Sequence, residues 1–173
     1  LGFNRLSLGV QDFNPQVQKA VNRLQSEELT LAVLADARQH GFQSINMDLI
    51  YGLPFQTLSS FQYTIEQIIR ADPDRISVFN YAHIPERFKP QRRIKQEDLP
   101  SAAQKLEILQ MFINNLSAAG YLYIGMDHFA KPDDPLAQAQ RAGNLYRNFQ
   151  GYSTHADCDL IAMGITSISS VND

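Results

Sequence analysis

Short apolar runs that alternate with amphipathic stretches leave this chain few ways to fold. RLSLGV (5–10), SINMDLI (44–50), RISVFN (75–80) and YLYIGM (121–126) are brief, apolar and rich in β-prone residues. Helical stretches separate them, so strands recur roughly every 35 residues, the mark of βαβ units around a parallel sheet. Open doubly wound sheets and (β/α) barrels both satisfy that order, and all 173 residues read as one α/β domain.

Helix boundaries follow from capping chemistry. Asn14-Pro15 supplies an N-cap and a proline at the first helical position, predicting a short helix to about Arg23. Ser26 with Glu27 and Glu28 opens a second, with Leu31, Leu34 and Ala35 at helical spacing until Gly41. A third is predicted over 58–70, with Phe61, Ile65, Ile68 and Ile69 on one face. The longest is predicted over 101–119, capped by Ser101, with Leu106, Ile108, Leu109, Phe112, Ile113 and Leu116 available to the core. HIPERFKPQRRIKQEDLP (83–100) reads as a charged loop, 135–142 as a short helix, and DLIAMGITSI (159–168) as a last apolar segment.

Composition excludes several partners. Fifteen Lys and Arg against 18 Asp and Glu leave a net charge of -3, which gives no electrostatic case for nucleic acid or an anionic membrane surface. The apolar runs fall short of the roughly 20 residues that span a bilayer, so a cytoplasmic location is expected. Cys158 is the only cysteine, so no internal disulfide forms and no cysteine-based metal site can be completed within the chain. The chain begins at Leu1 in what reads as a strand already under way, and is expected to be a piece of a longer protein.

Candidate chemistry lies where apolar strands give way to polar residues: Gln11, Asp48, Asn80 and Asp127. In parallel α/β folds that edge is where ligands bind, although Asx residues after strands also cap turns. Asp48 is the sharpest case, because an unpaired carboxylate on a buried strand costs several kcal/mol and must be paired, ligated or placed against a cleft. Gly52 and Pro54 then bend the chain away. His128 has no second nearby ligand and reads as a structural or substrate-contacting histidine rather than a metal ligand. Arg87, Lys89, Arg92, Arg93 and Lys95 form the one basic cluster, a solvated loop unless the ligand is rich in carboxylates.

RLSLGVQDF, MDLIYGLPFQT, SVFNYAHIP, GMDHFAKPDD and RNFQGYST, taken together and in this order, resemble the oxygen-independent coproporphyrinogen III oxidases, or coproporphyrinogen dehydrogenases, a radical S-adenosylmethionine (SAM) family of heme biosynthesis. YGLPFQT is shared with related heme-chaperone proteins; NYAHIP, GMDHFA and NFQGY point to the oxidases. The resemblance implies a partial (β/α) TIM-type barrel around a four-iron four-sulfur cluster and two SAM molecules. It implies a deoxyadenosyl radical that takes hydrogen from two propionates of coproporphyrinogen III, each then losing carbon dioxide to become a vinyl group. An external electron donor and acceptor, and a monomer, are implied as well. By position, Gln11, Arg23 and Asp48 correspond to contacts with the second SAM, and Ala82 and Ile168 to contacts with the first. Phe149 and Gln150 match a segment near the ligands. The family's CxxxCxxC loop lies before the represented region, so the resemblance assigns this chain no cluster ligand and no catalytic residue, and expects the chain alone to be inactive. The alternative is a relative that binds heme without decarboxylating coproporphyrinogen. Were the resemblance misleading, a metal-independent lyase using Asp48 and His128 would be the remaining reading.

Overall fold

The computed structural model describes residues 2–148 and 151–171, in two compact units, Leu1–Pro132 and Asp133–Asp173. In the first, β1 (Arg5–Gln11), α1 (Pro15–Ala20), α2 (Glu27–Gln39), β2 (Ser44–Tyr51), α3 (Leu58–Ala71) and β3 (Arg75–Asn80) alternate as expected. Each helix starts on a side-chain cap. Asn14 accepts from the amides of Gln16 and Val17, Ser26 from that of Leu29, and Thr57 forms a reciprocal capping box with Ser60.

The strands β1, β2 and β3 pair in parallel. The polypeptide then runs through two short 3-10 turns, Lys89–Arg93 and Gln96–Asp98, into α4 (Ala102–Ala118). The fourth predicted strand is instead a hairpin of β4 (Leu122–Gly125) and β5 (His128–Ala130), turned at Met126 in a left-handed conformation. β5 inserts antiparallel between β3 and β4, so the sheet order is β1-β2-β3-β5-β4 and the sheet is mixed. Asp127 therefore lies in a hairpin turn, where its carbonyl accepts from the Val78 amide, and not at the end of a neighbouring parallel strand.

Helices pack on one face of β2. Ile45, Met47 and Leu49 have no exposed surface, and they meet Phe61, Ile65 and Ile68 of α3 with Ile108, Phe112 and Leu116 of α4 in one core. Phe112 is central: its ring lies 5.3 Å from Tyr51, 6.2 Å from Phe61 and 6.2 Å from Phe129. Two expected faces differ. α2 buries Thr30, Leu34 and Ala37 while Leu31 and Ala35 are exposed, and Leu106 of α4 is exposed.

In the second unit α5 (Pro135–Ala142) is capped by Asp134 and ends at Gly143 in a left-handed conformation. β6 (Tyr146–Asn148) and β7 (Gly151–Ser153) form an antiparallel pair. The last apolar segment forms no strand; it is joined by a single bridge between Leu160 and Ser170, and Ile161, Met163, Ile165 and Ile168 are exposed. Among the described residues no helix is long and apolar enough to cross a membrane.

Candidate active site

Alternation along β2 sends Asn46, Asp48 and Ile50 to the face opposite the helices, where they are half-buried. Register brings Ser7 beside Asn46, and Gly9 and Ser77 beside Asp48. The Asp48 carboxylate accepts from Ser7 Oγ at 2.8 Å and from Asn46 Nδ2 at 2.6 Å, while Ser77 Oγ donates to Asn46 Oδ1 at 3.2 Å. A carboxylate on this apolar strand is thus held by neutral donors, which leave it further lone pairs for a ligand. Asp48 sits three residues before the end of β2, inside the strand rather than at its edge.

Beyond Asp48, β1 carries a bulge between Gly9 and Gln11, and Gln11 adopts φ 66°, a conformation unusual for a residue with a Cβ. The space a side chain on Gly9 would take is filled from two directions. A Cβ there would lie 2.8 Å from Gln11 Nε2 and 2.9 Å from Arg23 Nη2. Arg23 Nη2 also donates to the Gly9 carbonyl. A carboxamide and a guanidinium therefore converge on one glycine.

They form one wall of a cleft of about 650 Å³. Ile50, Leu53, Tyr81 and Ile94 give it apolar surface, and Lys89 and Arg93 from the first 3-10 turn join Arg23 in its lining, so that among the described residues three cations and no carboxylate line it. Such a lining favours an anionic group attached to a flat or apolar body. Burial pushes the Tyr81 phenol above its ordinary value. Of the other basic residues, Arg92 donates from Nε to the Pro85 carbonyl at 3.2 Å, and Lys95 pairs with Glu97 in solvent.

Two buried groups fix this wall, and sequence reasoning passed over both. Asp12, 1% exposed, accepts from the Asn14 amide at 2.6 Å, from Thr64 Oγ1 at 3.0 Å and from Gln56 Nε2. Burial pushes its carboxyl above the ordinary value, against the hydrogen bonds from Gln56, Asn14 and Thr64 that pull it down. Gln56 reaches Asp12 and the Ile50 carbonyl with Nε2, and takes the Gly52 amide on Oε1 at 2.6 Å. The Gly-Leu-Pro turn is thereby stapled to the end of β1. Gly52, at φ 85°, also lies under Lys105, whose Cε would be 2.8 Å from an added Cβ.

Of the expected site residues, Gln11 and Arg23 line one cleft, and Asp48 lies one strand over, opposite Gly9. Ala82 follows the cleft residue Tyr81, is exposed, and has its carbonyl bonded to Gln91 Nε2 at 2.9 Å. Ile168 belongs to the second unit, exposed beside the turn in which Ser167 Oγ donates to the Gly164 carbonyl. Phe149 and Gln150 lie outside the described residues. Asn80 ends β3, and His128 stands opposite Ser77, whose other neighbour is Asp48. Among the described residues no group of three His, Cys, Asp or Glu is placed to hold a metal, and Cys158 is exposed.

The family model of the Radical SAM superfamily matches residues 1–68. The chain is 61% identical over 173 residues to the oxygen-independent coproporphyrinogen III oxidase of Pseudomonas aeruginosa, covering all of this chain and 38% of that protein. It is 59% identical over 172 residues to the protein of that name from Escherichia coli strain K12, covering 99% of this chain and 38% of the other. A solved structure of the Escherichia coli coproporphyrinogen III oxidase, described as a radical SAM enzyme, superposes with a TM-score of 0.92 at 60% identity, covering 97% of this chain and 39% of that one. The chain thus spans under two fifths of the length of these relatives.

Proposed function

This chain has the α/β fold of a radical SAM domain and is related along its whole length to the oxygen-independent coproporphyrinogen III oxidases, and from that premise we propose that it forms part of such an enzyme. The reaction is the oxidative decarboxylation of two propionates of coproporphyrinogen III to vinyl groups, giving protoporphyrinogen IX for heme biosynthesis. An external electron donor and acceptor complete it, in the cytoplasm, and the five strands are one part of a barrel wall.

The observation that carries this reading is the convergence of Gln11 and Arg23 over Gly9 on a cationic cleft. The residues present fit SAM. Arg23 is a carboxylate-binding fork, Gln11 both donates and accepts, Asp48 has lone pairs for ribose hydroxyls or an ammonium group, and Ile50 and Leu53 offer apolar surface. When bound, SAM supplies the radical that removes hydrogen from the substrate. What the chain does is hold and orient. Gln11, Arg23 and Asp48 serve one SAM molecule, the Ala82 backbone serves the other, and Lys89 and Arg93 draw the propionates. The chain does not fit the iron-sulfur cluster, because three thiolates are needed and Cys158 is its only cysteine; the cluster would be held by residues outside this sequence.

The test uses the intact protein, purified without oxygen and with its cluster reconstituted. Incubation with SAM, a reductant and coproporphyrinogen III is expected to give a product lighter by two carbon dioxide units, together with deoxyadenosine. SAM cleavage with the porphyrinogen unchanged would move the reading to a heme-binding relative.

Two substitutions probe the wall. Arg23→Ala removes charge-assisted hydrogen bonds of about 1.5–3 kcal/mol, and SAM affinity by titration calorimetry is expected to fall by about 10- to 100-fold. Gly9→Ala pushes aside only the tips of two flexible side chains, so the protein is expected to fold normally while SAM affinity falls about tenfold, the loss of one such bond. Wild-type affinity in Gly9→Ala would show that Gln11 and Arg23 need not converge there.

A further inference from the structure

The turn that carries the cations also grips the neighbouring backbone. Gln91 stands between Lys89 and Arg93, and all three line the cleft. Its carboxamide makes two hydrogen bonds to one stretch of chain: Nε2 donates to the Ala82 carbonyl at 2.9 Å and Oε1 accepts from the Ile84 amide. Those two groups flank His83, and bonding both is what a parallel neighbouring strand would do. A single side chain thus stands in for a missing strand, just where the polypeptide has left β3. Arg92 Nε holds the Pro85 carbonyl at 3.2 Å, and the amides of Arg87 and Phe88 turn back onto the Ile84 carbonyl. On the other side, the Tyr81 amide bonds to the Tyr51 carbonyl at 2.9 Å, which ties the same stretch to the end of β2.

We propose that Gln91 is a positioning residue that couples anion binding by Lys89 and Arg93 to the placement of the Tyr81–Ile84 backbone. A polycarboxylate held by the two cations fixes the 3-10 turn, and the turn fixes Ala82 through Gln91. A ligand resting on the Ala82 backbone is then bound more tightly when the cations are occupied. The coupling is reciprocal, as linkage requires. This inference rests on the reading that the Ala82 segment contacts SAM and that the basic turn meets the propionates.

The experiment measures SAM affinity of the intact, cluster-reconstituted protein by calorimetry, with and without coproporphyrin III as a stable tetracarboxylate probe. In the wild type the probe is expected to tighten SAM binding about tenfold, within the usual range for coupled sites. In Gln91→Ala the ratio is expected to fall to about one while the melting temperature stays within about 2 °C, since the side chain is only half-buried. Gln91→Glu keeps the Ile84 bond but opposes a carboxylate to the Ala82 carbonyl, and is expected to behave as the alanine variant does. A ratio near ten in both variants, or a ratio of one in the wild type, would overturn the coupling while leaving the proposed function standing. Absence of SAM binding in the wild type would overturn both.

Discussion

Phe112→Ala is expected to destabilise the protein by about 3–5 kcal/mol, the range for removing a fully buried aromatic ring. The ring is 2% exposed and touches three others, Tyr51, Phe61 and Phe129, which belong to β2, α3 and β5. These are separate elements with rigid backbones, so the cavity cannot collapse onto one flexible neighbour. The paired rings also contribute about 0.5–1.5 kcal/mol each beyond simple burial. Tyr51 is the residue whose carbonyl receives the Tyr81 amide, so loosening its ring loosens the cleft wall as well. Urea unfolding should show a lowered midpoint with an unchanged slope. A loss under 1 kcal/mol would mean that the helices close over the gap.

Asp12→Ala is expected to cost about 3 kcal/mol and to weaken SAM binding together with stability. The change strips an acceptor from the Asn14 amide, which is left without its partner at a half-buried helix start, and from Gln56 Nε2 and Thr64 Oγ1. Gln56 retains the Ile50 carbonyl and Thr64 retains the Ser60 carbonyl, so the cost is less than three full unsatisfied groups. The staple between β1 and the Gly-Leu-Pro turn is nevertheless gone, and Gln11 is the residue next to it. Asp12 also carries a pH signature. Its carboxyl is raised on folding, so its contribution to stability is fully present below the unfolded value and is lost as pH rises through the folded one. Asp12→Asn cannot titrate, and its stability relative to wild type should therefore improve as pH rises through that window. A difference that is flat with pH would show that burial does not raise the carboxyl.

The periodic parts of the fold were legible because local chemistry decides them. Asn14, Ser26 and Ser101 cap helices where their side chains dictate, and β3 runs over Arg75–Asn80 as its apolar run indicates. The hairpin was not legible: β5 has three residues, too few to show a period, and the turn rests on a left-handed Met126 that no residue preference announces. The buried face of α2 was misassigned because Leu29, Leu31 and Val33 leave apolar residues all round the helix. At the site, Gln11 was visible at the end of an apolar run. Asp12, Gln56 and Gln91 were hidden because their roles depend on partners brought close by the fold: Asp12 meets Gln56 across 44 positions of sequence. The one local signal was a glutamine four residues after Gly52, within reach of its amide.

β2 gives Ile45, Met47, Leu49 and Tyr51 to the core and turns Asn46, Asp48 and Ile50 to the opposite face. Insertion or deletion of a single residue before Ile45 would exchange the two sets, carrying Asp48 into the helix layer and Met47 to the opposite face. Substitutions on either face can be absorbed one at a time, but the spacing between the strand's entry and its Gly-Leu-Pro exit cannot change by an odd number. In this segment the length of the strand matters as much as the carboxylate it displays.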